Sequence, residues 1–127
     1  MPDLRLGFFA DFRDPTLLLS GTAQAMVELS QALEEFVGAG RDELPLHELA
    51  SISQRHPARL HAVRALTQRS DAFCWSCSEA DFRGIREMLV ALASCKSGHQ
   101  YFNLVGSSVD LVVSVGEYED EWWREHG

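Results

Sequence analysis

Imidazole, carboxylate and phenol groups crowd one short stretch of this 127-residue chain, Gly98 to Trp123 (GHQYFNLVGSSVDLVVSVGEYEDEWW). His99, Gln100 and Tyr101 lie in a GHQY motif at its start, and Glu117 and Tyr118 in a GEY motif near its end. An imidazole beside a carboxylate is a pairing that general acid–base chemistry uses. If the stretch folds back about Ser107, positions summing to about 214 face each other, which sets Gly98 near Gly116 and His99 near Val115 to Glu117. The five side chains then line one small polar site at the hairpin mouth. They serve equally as a hydrogen-bonded pin for the hairpin and the helix before it. The pin is the preferred reading, because no nucleophile or anion cradle accompanies them to define a reaction.

Two cysteine pairings carry less. Cys74-Trp75-Ser76-Cys77 has the C-x-x-C spacing of redox motifs, yet the helix cap falls at Ser78, after both thiols, so the helix dipole does not activate the leading one. Two small buried residues are expected instead. Cys95 and His99 stand four apart across a helix end without a second ligand pair, so no metal is assigned. Nor is a third group present to orient them as a nucleophilic pair. No catalytic residue and no cofactor is expected.

The end of the stretch differs in kind. From Glu117 to Glu125 five acids face Arg124 alone, so this segment supplies half of the formal net charge of −8. Glu117, Glu119, Asp120 and Glu121 would steer a basic protein partner, and Trp122 and Trp123 would anchor it, the mixture that interface centres favour. The opposing reading folds the tryptophans back over a core edge. A third reading docks the tail on the basic stripe Arg55, His56, Arg59, His61, Arg64 and Arg69 of a second copy, which makes a homodimer. The overall acidity argues against a nucleic-acid ligand, since phosphate contacts need a basic face.

These groups need a scaffold, and 127 residues suit one domain with its own core. Leu4 to Phe12 alternate with period two, Asp14-Pro15 turns the chain, and Thr16 to Ser20 returns as a second strand. Ser20 or Thr22 caps a helix whose inner stripe is Ala25, Met26, Leu29, Ala32, Leu33 and Phe36, ended by Gly38 and Gly40. Leu44 to Ile52 and Leu60 to Leu66 read as weaker strands, the second placing Arg64 on a mostly apolar face as an edge charge or a buried stem. Phe73 to Ser78 is a further strand. Ser78 and Asp81 form a capping box for a second helix with inner residues Phe82, Ile85, Leu89 and Leu92.

The resulting order β-β-α-β-β-β-α-β-β, with short connections, predicts an α+β fold with a mostly antiparallel sheet and two helices packed on one face. Residues 1–127 form the single domain, with 117–127 as its acidic aromatic tail. The opening MPDLRLGFFADFRD has neither a basic lead nor a continuous apolar run, and no window reaches the roughly 18 apolar residues of a membrane span. The odd count of three cysteines fits a reducing compartment. A cytoplasmic protein with no membrane contact is expected, and arginine at ten of eleven basic positions suggests a GC-rich bacterial source.

The layout GHQYF, a valine-rich strand and S-x-GEY, spanning Gly98 to Tyr118, resembles small bacterial α+β proteins akin to immunity proteins of polymorphic toxin systems. That resemblance implies a cytoplasmic antidote that binds a toxin through an acidic surface and catalyses nothing. It carries no individual functional residue with it. The sequence therefore points to a non-enzymatic protein-binding module of the bacterial cytoplasm with a basic partner, such as a toxin or nuclease. A small enzyme or ligand-binding domain using His99, Tyr101 and Glu117 is the rival reading.

Overall fold

The structure, a computed structural model, describes residues 4–65 and 70–127. Leu66 and Arg69, expected at a strand end and in the basic stripe, lie outside the described residues. The chain folds as α+β, in the order β1 Arg5–Phe9, β2 Thr16–Gly21, α1 Ala23–Gly38, β3 Glu43–Pro45, β4 Ser51–Ile52, β5 Leu60–Val63, β6 Phe73–Ser76, α2 Glu79–Ala93, β7 Gly98–Asn103, β8 Asp110–Val115 and α3 Asp120–His126.

Local chemistry sets the long helices. Thr22 is the N-cap of α1, its Oγ1 accepting the Ala25 amide at 3.1 Å. Ser78 caps α2 in the same way, and Asp81 accepts from both the Ser76 and Ser78 hydroxyls. The inner stripes hold as expected: Ala25, Met26, Leu29, Leu33 and Phe36 of α1 and Ile85, Leu89 and Leu92 of α2 are buried. Gly40, at φ +65°, takes the chain out of α1 in the left-handed conformation. Gly84, in the middle of α2, is different. A Cβ there would meet nothing within 4 Å, so the helix gives up about 1 kcal/mol relative to alanine without a local steric reason.

The strands make two mixed sheets, ordered β4-β1-β2-β8-β7 and β3-β5-β6. The local hairpins β1–β2 and β7–β8 are antiparallel, as is β3–β5. The expectation of a mostly antiparallel sheet is corrected by the other three pairings, β1–β4, β2–β8 and β5–β6, which are parallel. The cause is long-range: the first and last hairpins lie side by side, and β2 meets β8 across most of the sequence. Leu44 to Ile52 is likewise not one strand. The 3-10 turn Leu46–Glu48 divides it, sending β3 to one sheet and β4 to the other.

Alternation along β2 and β8 divides the interior in two. Leu17, Leu19, Leu111, Val113 and Val115 face α1 and α2 in the main core, with Trp75 and Leu60 from the smaller sheet. Leu18 and Val112 point the other way and form a second core with Phe9 and Trp123. Helix α3 covers that opposite face, so the expected arrangement of two helices on one face gains a third on the reverse. No helix among the described residues is long and apolar enough to cross a membrane.

Candidate functional site

The hairpin register decides what the GHQY and GEY motifs build. Gly98 pairs with Val115 and His99 with Ser114, one residue from the register expected for a fold about Ser107. That offset sets the buried Ser114 hydroxyl beside the imidazole, on the α3 face. Gly116 then turns the chain at φ +72°, where a Cβ would run into the carbonyl of Lys96. Glu117 is thereby returned over the end of its own strand. Its Oε1 accepts the Ser114 hydroxyl at 2.6 Å, and its two oxygens lie 3.0 and 3.1 Å from His99 Nδ1. A carboxylate only accepts, so Nδ1 carries the proton. The Ser114 hydroxyl also lies 3.3 Å from the Gly98 carbonyl across the pair.

Tyr101 stands on the same face as His99, its ring perpendicular at 5.2 Å, and is 62% exposed. Tyr118 is half-buried against Trp122 and Phe12. Burial, then the negative charge of Glu117 and the neighbouring Tyr101, raise the Tyr118 phenol above its ordinary value. Gln100 does not join them. It pairs with Val113, whose side chain faces the main core, so strand alternation turns Gln100 away from His99 and Tyr101. The expected five-residue site is therefore a four-residue cluster plus Ser114.

Ser114 is the member that the sequence reading did not single out. The signal was present as a lone hydroxyl in the apolar run Leu111 to Val115. Its neighbour across the parallel pairing is Ser20, which accepts the Trp123 indole N–H at 2.9 Å. Two buried serines thus moor the end of the chain to the sheet.

The hydrogen bonds of the cluster run through Glu117, which accepts from Ser114 and His99. The Ser114 proton goes to Glu117 and not to His99, so the hydroxyl and the imidazole meet only through the shared carboxylate. Cavities of about 650, 780 and 290 Å³ indent the described residues; His99, Tyr101 and Glu117 line none of these, whereas Tyr118 lines that of about 780 Å³. The geometry is that of a clasp joining the mouth of the hairpin to the segment that leads into α3.

The tail is a helix, and its aromatic residues are largely spent inside. Trp123, expected as a partner anchor, is 5% exposed and packs on Phe9, with ring centroids 5.7 Å apart. It is corrected to a core residue, because burial of the indole on the reverse of the sheet outweighs exposure at a chain terminus. Trp122 is half-buried among Phe9, Tyr118 and His126. Glu119, Asp120 and Glu121 remain exposed, with Asp120 paired to Arg5 of β1.

Arg55, at one end of the basic stripe, meets the end of the tail within the chain. Arg55 Nη1 donates to the Glu125 carbonyl at 2.5 Å, and the amides of Gln54 and Arg55 and the Ser53 hydroxyl bond the Gly127 carbonyl. Among the described residues the stripe is not one continuous surface. His61 is buried with its ring 5.0 Å from His47, and Arg64 lies beyond the end of β5, donating to the Gly40 carbonyl at 2.6 Å. Arg64 thus occupies neither face of the strand.

Cys74 and Cys77 are buried free thiols, and burial, aided by the charge of Asp81, holds the Cys77 thiol far above its ordinary range. Cys95 is exposed, and its thiol donates to the Ala91 carbonyl rather than pairing with His99. Among the described residues no group of three His, Cys, Asp or Glu side chains is placed to hold a metal ion.

No protein-family model, curated protein or solved structure matches the chain.

Proposed function

We propose that the protein is a non-enzymatic binding module of the bacterial cytoplasm that receives a basic protein partner on the outer side of α3, a toxin or nuclease antidote being the most concrete form. The observation that carries this reading is the construction of α3 itself. Its inner residue Trp123 is fixed to Ser20 and the second core, while Glu119, Asp120 and Glu121 stay exposed and, with Arg5, Lys96 and Arg124, line a cavity of about 780 Å³. A preformed acidic surface of this kind speeds and selects encounters without ordering cost at binding. The Ser114–Glu117–His99 clasp supports the same reading, since it ties the approach to α3 to the mouth of the hairpin.

The structure also refines which acids to test. Glu117 and Asp120 hold the fold through Ser114, His99 and Arg5, whereas among the described residues the Glu119 and Glu121 carboxylates make no hydrogen bond or ion pair. With a basic partner protein encoded beside this gene, stopped-flow association of the Glu119→Ser/Glu121→Ser variant should slow by about threefold to tenfold at low salt. Its salt dependence should flatten as well, because fewer charges remain to be screened. An unchanged on-rate would remove α3 as the steering surface.

A further inference from the structure

Helix α3, the start of α1 and the connection from α2 to β7 border the cavity of about 780 Å³, a size within the roughly 300–1,000 Å³ of small-ligand sites. Its charges balance, since Arg5, Lys96 and Arg124 line it together with Glu119, Asp120 and Glu121. Arg5 and Asp120 pair with each other. The other four do not: among the described residues the side chains of Lys96, Arg124, Glu119 and Glu121 make no hydrogen bond or ion pair. Exposed charges gain little by pairing across water, so they stay apart, and both signs remain available to a third body.

Two uncharged donors stand beside them. Ser20 lines the cavity although it is only 2% exposed; its hydroxyl accepts the Trp123 indole N–H, and its own proton has no acceptor among the described residues. Ala23 lines it as well, and its amide, the first of α1, is one of those that a helix leaves without an intrahelical acceptor. The charged residues sit on fixed backbone. Gly116 packs so closely on the Lys96 carbonyl that a Cβ would come within 2.1 Å of it, and Arg124 follows Trp123, which is anchored in the second core.

We propose that this cavity binds a short peptide with free ends, its carboxylate taken up by Lys96 and Arg124 with hydrogen bonds from Ser20 and Ala23, and its ammonium by Glu119 and Glu121. Charge decides the class. A ligand of one sign meets two attracting and two repelling side chains and gains little net. A zwitterion sets each end against opposite charge, where hydrogen bonds are of the stronger, charge-assisted kind. Volume decides the size, because the cavity exceeds what one amino acid fills and leaves room for intervening residues against the half-buried Tyr118 ring. The site shares Glu119 and Glu121 with the steering surface of α3, yet the inference goes beyond that reading and does not rest on it.

The test uses the whole protein and trialanine with free ends, beside acetyl-trialanine, trialanine amide and free alanine. Titration followed by amide NMR should shift Ala23, Lys96 and Glu119 to Glu121 saturably. Bound peptide should also slow alkylation of the exposed Cys95 thiol, which lines the same cavity. Each capped peptide and free alanine should bind at least about tenfold more weakly than trialanine. Glu119→Gln/Glu121→Gln should erase the preference for trialanine over acetyl-trialanine, and Lys96→Gln/Arg124→Gln the preference over trialanine amide. Loss of fold cannot produce that crossed pattern. No saturable shift up to about 10 mM trialanine, equal binding of the capped peptides or of free alanine, or double variants that keep both preferences would overturn the site and leave these side chains as solvated charges. Lys96→Gln/Arg124→Gln should leave association of a basic partner undiminished, so failure of the peptide site and failure of the on-rate test of Glu119 and Glu121 are distinguishable.

Discussion

Truncating Trp123 to alanine tests whether α3 is part of the folded core or a detachable tail. The indole is 5% exposed, packs on Phe9, Leu18 and Val112, and donates to the buried Ser20 hydroxyl. Loss of a buried aromatic of this size costs about 3–5 kcal/mol, a large part of the stability of a domain this long. Trp123→Phe separates the two contributions. It retains most of the apolar contact but strips the hydrogen from a pairing inside the sheet, and should cost about 1–3 kcal/mol. Ser20→Ala alone leaves the indole N–H unsatisfied and should cost a similar amount. The double variant should recover part of that loss, since removing both partners leaves no orphaned group. Urea unfolding followed by far-ultraviolet circular dichroism gives all four free energies. If Trp123→Ala costs less than about 1 kcal/mol, or unfolding splits into two steps with a small first slope, the second core is not cooperative with the first. The rigid acidic surface would then have no support.

Two further outcomes follow from the same geometry. Gly116→Ala should destabilise the protein by more than about 3 kcal/mol in the same denaturation assay, because it combines strain at positive φ with a clash against the Lys96 carbonyl. Stability should also decline as pH rises from the ordinary tyrosine value of about 10 upward. Tyr118 is raised in the folded state, so the unfolded chain loses that proton first and gains relative stability until the folded phenol also ionises. Tyr118→Phe should make the alkaline decline shallower, as read by urea midpoints across that range, and an identical decline would discount the shift.

The helices were the most legible part of the chain, and the clearest reason is local. Thr22 and Ser78 sit one residue before their helices, and stripes such as Leu29, Leu33 and Phe36 repeat at the helical period. The hairpins were nearly as plain, because Leu17 to Leu19 and Leu111 to Val113 are short apolar runs beside turn residues. Leu44 to Ile52 misled because apolar residues at mixed spacing suit a strand or a turn equally, and only Pro45 and the 3-10 turn show where the chain changes sheets. For the polar cluster, residue types sufficed to bring His99 and Glu117 together. Alternation alone turns Gln100 away from His99 and Tyr101, whereas Ser114 opposite His99 depends on the register, which residue types left one residue out.

The sequence by itself determined an α+β chain with two capped amphipathic helices, a terminal hairpin whose motifs converge, and an acidic end. Each of these depends on neighbours within a few residues, where period, caps and turns act. Tertiary structure alone decided that β2 lies parallel to β8, which brings Ser20 beside Ser114 and creates a second sheet face for Trp123 to cover. It also decided that the segment just after β7 meets β6, where the Val105 amide donates to the Cys74 carbonyl and Phe102 packs on Trp75. Such pairings join residues far apart in the chain, and their stability comes from burial shared between elements, a quantity that no local stretch of sequence carries.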